Sequence, residues 1–272
     1  MKKAIIFFLF LASVIWGTAQ PLFHHQLSES AFSKKIQHYK EIGYEVSAAE
    51  VYRVNGKIYY NAKWRETQAM YELGRNYTQV SMQKKIKNMA KMGYKMIALD
   101  GVYTTEKFNP LRYMGIWTKG NGQQQIVKVR LSSQEYKELF PVYVKKGYVL
   151  KHLSSYAQGG SFYVACIWEK PKRSSFLSHH NMSPETYQKK AVAYNEKGWY
   201  PAQISVANKS KSTHFAVIWK KKGKKKVVAR HHLSSKAYQL EFEKWRKKGY
   251  RLQTISGYKW KGTHAFAAVW VK

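Results

Sequence analysis

Apolar residues recur along this chain in two alternating patterns. Five stripes are spaced i, i+4, i+7: Phe32, Ile36, Tyr39; Met82, Ile86, Met89; Tyr136, Phe140, Tyr143; Tyr187, Ala191, Tyr194; and Tyr238, Phe242, Trp245. That spacing places each trio on one face of a helix. Each stripe follows a hydroxyl residue, Ser28, Thr78, Ser132, Ser183 or Ser234, whose side-chain oxygen can accept a free backbone N–H at a helix start. Ser132 and Glu135 have capping-box spacing, and Pro184 holds the first helical position after Ser183. Fifteen residues beyond each cap stands a glycine–aromatic pair: Gly43-Tyr44, Gly93-Tyr94, Gly147-Tyr148, Gly198-Trp199 and Gly249-Tyr250. A glycine there can adopt the left-handed backbone that ends a helix. Pro141 falls inside the third stripe and is expected to kink it.

After each glycine the period changes to that of a strand, as in Tyr250 to Ile255, followed by a turn and a second strand such as His264 to Val271. A shorter extended segment precedes each cap, as in Gln125 to Leu131 and Lys226 to Leu233. Tryptophans close the units at Trp64, Trp117, Trp168, Trp219 and Trp270, with spacings of 53, 51, 51 and 51. A fixed period of this length marks a repeat architecture. The expected fold is therefore α+β, five tandem β-α-β-β modules of about 51 residues. Their expected bounds are 20–67, 68–119, 120–171, 172–222 and 223–272, behind a signal peptide at 1–19. The fifth module is the most regular, whereas open arrays end in atypical caps. A pseudo-symmetric closed ring is thus expected over an open stack.

The N-terminus supports the export reading. Lys2 and Lys3 precede an apolar run from Ala4 to Trp16, and Gly17-Thr18-Ala19 offers small residues for cleavage before Gln20. The run is short for a membrane span, so the expected destination is the periplasm or the medium. One cysteine, Cys166, leaves no internal disulfide framework. The net charge is +33, and removal of Lys2 and Lys3 leaves +31. Such a surplus attracts anionic partners. Of 48 basic residues 39 are lysine and nine arginine, a balance that favours general adhesion over shape-specific recognition, because lysine acts as a point charge. The densest run is Lys220, Lys221, Lys222, Lys224, Lys225 and Lys226 around Gly223, a candidate polyanion contact or a solvated turn.

Other candidate chemistry is sparse. Ser81-Met82-Gln83-Lys84 has the S-x-x-K form of some serine hydrolases, but Met82 belongs to a core stripe and lysine is abundant. Histidine pairs occur at His24-His25, His179-His180 and His231-His232. His25, His180 and His231 are weak metal candidates, and packing on aromatic neighbours is the favoured role. No cofactor is expected. A polar column stands seven residues after each glycine: Glu50, Asp100, Ser154, Ser205 and Ser256. Asp100 is the chain's one aspartate. Paired carboxylates can serve acid–base chemistry, whereas such residues more often satisfy backbone groups. Cys166 shares a column with Ala62, Gly115, Val217 and Ala268 and reads as a buried thiol.

The run from Val228 to Ser235 with Gly249-Tyr250, Ile255-Ser256-Gly257-Tyr258 and Ala267 to Trp270 resembles the bacterial tandem repeat domain, type 1. This is the repeat found in front of the serine-hydrolase domain of polyglycine hydrolases and related β-lactamase-like proteins. Arg130-Leu131-Ser132-Ser133 with Gly147-Tyr148 resembles it too. Only Arg230-His231 fits the family's Arg-His pattern. The other modules read His24-His25, Arg75-Asn76, Val129-Arg130 and His179-His180. The resemblance implies an extracellular accessory module without the family's catalytic serine. Two functions are expected from the whole: a basic binding module for an anionic cell-surface polymer or an extracellular protein, with non-specific nucleic-acid contact, or a hydrolase-associated protein with a polar site between modules.

Overall fold

The computed structural model describes residues 21–67, 69–106, 108, 110–120, 124–158, 160–170, 175–210 and 212–272. The expected signal peptide and its cleavage point lie outside these residues.

Each module is one three-stranded antiparallel sheet and one helix. Module one comprises β1 (Leu22–Ser28), α1 (Glu29–Glu41), β2 (Tyr44–Val54) and β3 (Lys57–Glu66). Module two comprises β4 (Tyr71–Tyr77), α2 (Gln79–Lys91), β5 (Tyr94–Tyr103) and β6 (Leu111–Lys119). Module three has β7 (Gln125–Ser132), α3 (Ser133–Lys145), β8 (Val149–Gln158) and β9 (Ser161–Glu169). Module four has β10 (Phe176–Met182), α4 (Pro184–Glu196), β11 (Trp199–Lys209) and β12 (Ser212–Lys221). Module five has β13 (Val227–Leu233), α5 (Ser235–Lys247), β14 (Arg251–Trp260) and β15 (Thr263–Val271). In every sheet the last strand lies in the middle, as in the order β1-β3-β2.

The helix boundaries follow the capping chemistry read from the sequence. Ser28, Thr78, Ser132, Ser183 and Ser234 accept the N–H of Ala31, Ser81, Glu135, Thr186 and Ala237. Ser132 and Glu135 form the reciprocal capping box. Gly43, Gly93, Gly147, Gly198 and Gly249 sit between φ 72° and 82° after the five helices, the conformation in which a side chain is strained. Pro141 lies inside α3, which keeps the 13-residue length of the other four helices. Two hairpins turn on Asn55-Gly56 and Lys261-Gly262, both residues of each pair at positive φ, the geometry whose twist matches the flanking strands.

One local feature escapes the periodicity. Gln26, Asn76, Asn181 and His232 take φ of 54° to 60° two residues before their caps. A bulge there interrupts the pairing of each first strand, for example between His24 and Leu27. Asn adopts this region more readily than most residues.

The cores are shared between modules. On one face of each sheet the repeat tryptophan meets the helix stripe, and the opposite face of the next module's sheet closes over it. Tyr187, Phe215, Val217 and Trp219 of module four cluster with Tyr258, Ala265, Ala267 and Val269 of module five. Module three is closed by Ala216 and Ile218, module one by Met114 and Ile116, and module two by Ala165 and Ile167. Module five is closed in turn by Tyr52 and Val54 of module one. Strands such as β15 are buried on both faces, which is why His264 to Val271 reads as a nearly continuous apolar run. Contacts between second strands run β2 to β5, β8, β11 and β14, and β14 also touches β2.

Side-chain sizes match across these contacts. A Cβ on Gly257 would stand 2.5 Å from the Tyr52 ring, and one on Gly101 would stand 2.8 Å from Tyr156. The small residue admits the large ring of the following module.

Candidate functional site

The polar column forms a ladder along the line where the second strands meet. Asp100 accepts the Val51 N–H of module one at 2.8 Å. Ser205 accepts the Ser155 N–H at 2.8 Å, and Ser256 accepts the Val206 N–H at 2.9 Å. Glu50 of module one accepts the Gly257 N–H of module five at 2.8 Å. In four of the five contacts, then, a column side chain receives the amide just after the preceding module's column residue. The exception lies between modules two and three, where Gly101 N–H turns to its neighbour Asp100 and Ser154 donates its hydroxyl to Asp100. Glu50 also accepts from Ser256 Oγ and, at 2.7 Å, from Asn61 Nδ2. The column is thus hydrogen-bonded between modules, the role that buried polar strand residues usually take.

A second row of polar contacts lies beside it. His152 donates from Nε2 to Leu99 O at 2.8 Å and accepts at Nδ1 from Gln203 Nε2 at 3.0 Å. Gln203 also receives the Leu153 N–H at 3.1 Å. These contacts hold His152 as one neutral tautomer, and burial takes its pKa down to about 4.

Two cavities flank the ladder and share Glu50 and Asp100 in their walls. One, of 340 Å³, is lined by Ile97, Leu153, Ile204 and Ile255 and by the cations Lys63, Arg65, Lys151 and Lys220. The other, of 300 Å³, is walled by Tyr52, Tyr103, Tyr156 and Tyr258 with Arg53, Asn55 and Asn208. Burial raises the pKa of Glu50, and the neighbouring Asp100 carboxylate adds to the effect. Burial also raises that of Asp100. The hydrogen bonds each accepts act in the opposite direction without cancelling this.

These shifts predict a pH dependence with two limbs. An acid whose pKa is raised by folding stabilises the fold below its unfolded pKa, and that contribution is lost as pH rises through the folded value. Half-buried histidines do the reverse: His24, His152, His179 and His232 are lowered to about 4, chiefly by desolvation. Their contribution is present above about pH 6.5 and lost as pH falls. The thermal midpoint of a Glu50→Gln, Asp100→Asn double variant should therefore rise relative to the parent between pH 5 and pH 9. A constant difference across that range would contradict the raised carboxylates.

The remaining candidates fall elsewhere. His25, His180 and His231 each cover the helix of the preceding module, with ring centroids 4.6, 4.6 and 5.5 Å from Tyr238, Tyr136 and Tyr187. Arg75 lies over Phe32 at the equivalent place, and Val129 is buried there. Among the described residues no group of three or more His, Cys, Asp or Glu side chains could hold a metal ion. Ser81 is engaged with its own cap, donating to Thr78 O at 3.2 Å, and Met82 is buried. Cys166 accepts the Trp168 indole N–H at 3.2 Å, and burial pushes its thiol up to about 12. The lysine run is divided: Lys220 lines the 340 Å³ cavity, Lys221 lies over Trp199 at 4.4 Å, and Lys224, Lys225 and Lys226 are exposed at or just after the turn, with Lys222 half-buried.

Sequence reasoning missed Asn61, which is buried and bridges Gln26 N–H to Glu50. It also missed the cavity cations Lys63, Arg65 and Lys151. A column-by-column comparison of the five modules was the available signal for Asn61 and Lys63, whose places are apolar in the other four modules; the columns of Arg65 and Lys151 hold no common residue type.

A family model described as polyglycine hydrolase-like, structural repeat, matches the chain five times, at residues 19–67, 71–120, 123–171, 174–222 and 224–272. No curated protein matches it. The chain belongs to this repeat family.

Proposed function

We propose that this member of the polyglycine hydrolase-like structural repeat family is an exported, non-catalytic binding module for anionic surface polymers, built as a closed ring of five units. The observation that carries the reading is an uncompensated cation surplus. Among the described residues the ion pairs are Arg112–Glu106, Arg230–Glu241 and Lys244–Glu241, against 48 basic and 15 acidic side chains in the chain. Glu50 and Asp100 are directed into the ladder, so neither offsets the peripheral cations and the positive field stands. Closure is supported by Tyr52 and Val54 covering the module-five core and by the Glu50 bonds to module five. Export is supported by the N-terminal pattern of positive start, apolar run and small residues.

Retention on immobilised peptidoglycan, lipopolysaccharide, heparin-like glycan and DNA across a salt series tests this. Binding lost together from every polyanion at moderate salt is the outcome expected of charge alone. Failure to bind any of them at low salt would sink the proposal. A hydrolase-associated role is the second reading, favoured by two carboxylates of raised pKa that share the walls of both axial cavities. It requires turnover that disappears in Glu50→Gln or Asp100→Asn while the fold remains intact.

A further inference from the structure

The repeat allows each structural position to be read five times, and module one departs from the others along one face. The residue before the repeat tryptophan is Ile116, Ile167, Ile218 or Val269 in modules two to five, each no more than 1% exposed. In module one it is Lys63. Two positions earlier the residues are Met114, Ala165, Ala216 and Ala267, and module one has Asn61. In every other module this face seals the preceding core with apolar groups. In module one it faces module five with polar ones.

A cavity of 240 Å³ lies at this seam. Its walls include Phe23, Phe242 and Tyr250, and its cations are Lys63, Arg65, Arg246 and Arg251. Three of the chain's nine arginines, all exposed, therefore line one cavity. It adjoins the 340 Å³ axial cavity, with Phe23, Lys63, Arg65 and Gln253 common to both. None of the four cations forms an ion pair among the described residues. Glu45 stands opposite Arg65 across β2 and β3 without pairing to it. Lys63, at a position where the fold elsewhere places isoleucine or valine, thus lines the cavity with three arginines.

We propose that this seam is a binding site for a sugar bearing an oxyanion, a carboxylate or a phosphate. The arginine forks would take the oxyanion in bidentate fashion, and Phe23, Phe242 and Tyr250 supply flat apolar surface for the ring. The axial cavity continues the site, and its size is that of a small-molecule pocket. This deepens the polyanion reading and rests on it: general adhesion is spread over many lysines, whereas the seam selects one anionic unit.

Titration calorimetry of the purified protein with glucuronate, glucose 6-phosphate and glucose tests the site. The two anions should bind and glucose should not, and the tighter anion identifies carboxylate or phosphate as the natural group. Lys63→Ile restores the residue type of the other modules. It should raise the thermal midpoint while weakening anion binding by about tenfold or more. Lys145→Ala removes the same charge from the exposed end of α3 and should leave that affinity unchanged. Absence of anion binding, wild-type affinity in Lys63→Ile, or an equal loss in Lys145→Ala would each overturn the proposal. Salt-sensitive retention on polymers in a protein that binds neither glucuronate nor glucose 6-phosphate would show that the seam had failed while general adhesion stood; loss of both would sink the polyanion reading as well.

Discussion

Trp219→Ala will lower the unfolding free energy by about 4 kcal/mol, the cost of removing a large aromatic side chain from a packed core. Trp219 is fully buried, 5.0 Å from the Tyr194 ring and 6.1 Å from Tyr187. Its core is completed by Ala267 and Val269 of the next module, so the vacancy opens against two modules at once. Among the described residues the indole N–H has no hydrogen-bond partner, so Trp219→Phe forfeits volume without breaking a hydrogen bond and should cost much less. Equilibrium unfolding in guanidinium measures both. The shared core also requires one transition with an unchanged denaturant slope. Separate melting of module four would contradict it.

Glu50→Ala is the second large effect expected, a loss of about 3 kcal/mol at neutral pH, because deleting this acceptor leaves donors on three buried residues unsatisfied. Three donors converge on this carboxylate: Ser256 Oγ, the Gly257 N–H and Asn61 Nδ2. Two come from module five, so the loss falls on the contact between the last module and the first. Glu50→Gln keeps one acceptor oxygen and an amide that Ser256 can accept, and should recover most of the stability. A Glu50→Ala variant within about 0.5 kcal/mol of the parent, the range of a surface substitution, would mean that the ladder contributes little to holding the modules together.

Local rules made much of the fold legible. The hydroxyl caps, the glycines at positive φ and the tryptophan period each depend on residues close in sequence, and the helices and sheets appear where those residues place them. The polar column was legible as a column for the same reason. Its role was not, because two of the three partners of Glu50 lie more than 200 positions away and only the packing of modules brings them near. The lysine run shows the opposite difficulty. Lys220 and Lys224 look alike in a string of charges, yet one ends up in a cavity wall and the other at a turn. The seam cations were hidden by abundance. Lys63 is one lysine among 39, and it stands out only beside the four apolar residues that hold its place in other modules.

The sharing of cores bears on how such a chain can change in length over generations. In an open stack a duplicated unit adds one more interface of the same kind. Here the end of module five already meets module one, with Gly257 receiving Tyr52, Asn55 donating to Gly262 O at 2.9 Å and His25 reaching Ser235 at 3.0 Å. A sixth copy would have to separate these pairs and supply two new faces matched to partners that currently fit each other. In the closed ring proposed above, duplication or deletion of a whole unit is thereby opposed. Tolerated variation should instead gather at the hairpin tips, where module two already carries a longer connection between Tyr103 and Leu111 than the two-residue turns of modules one and five.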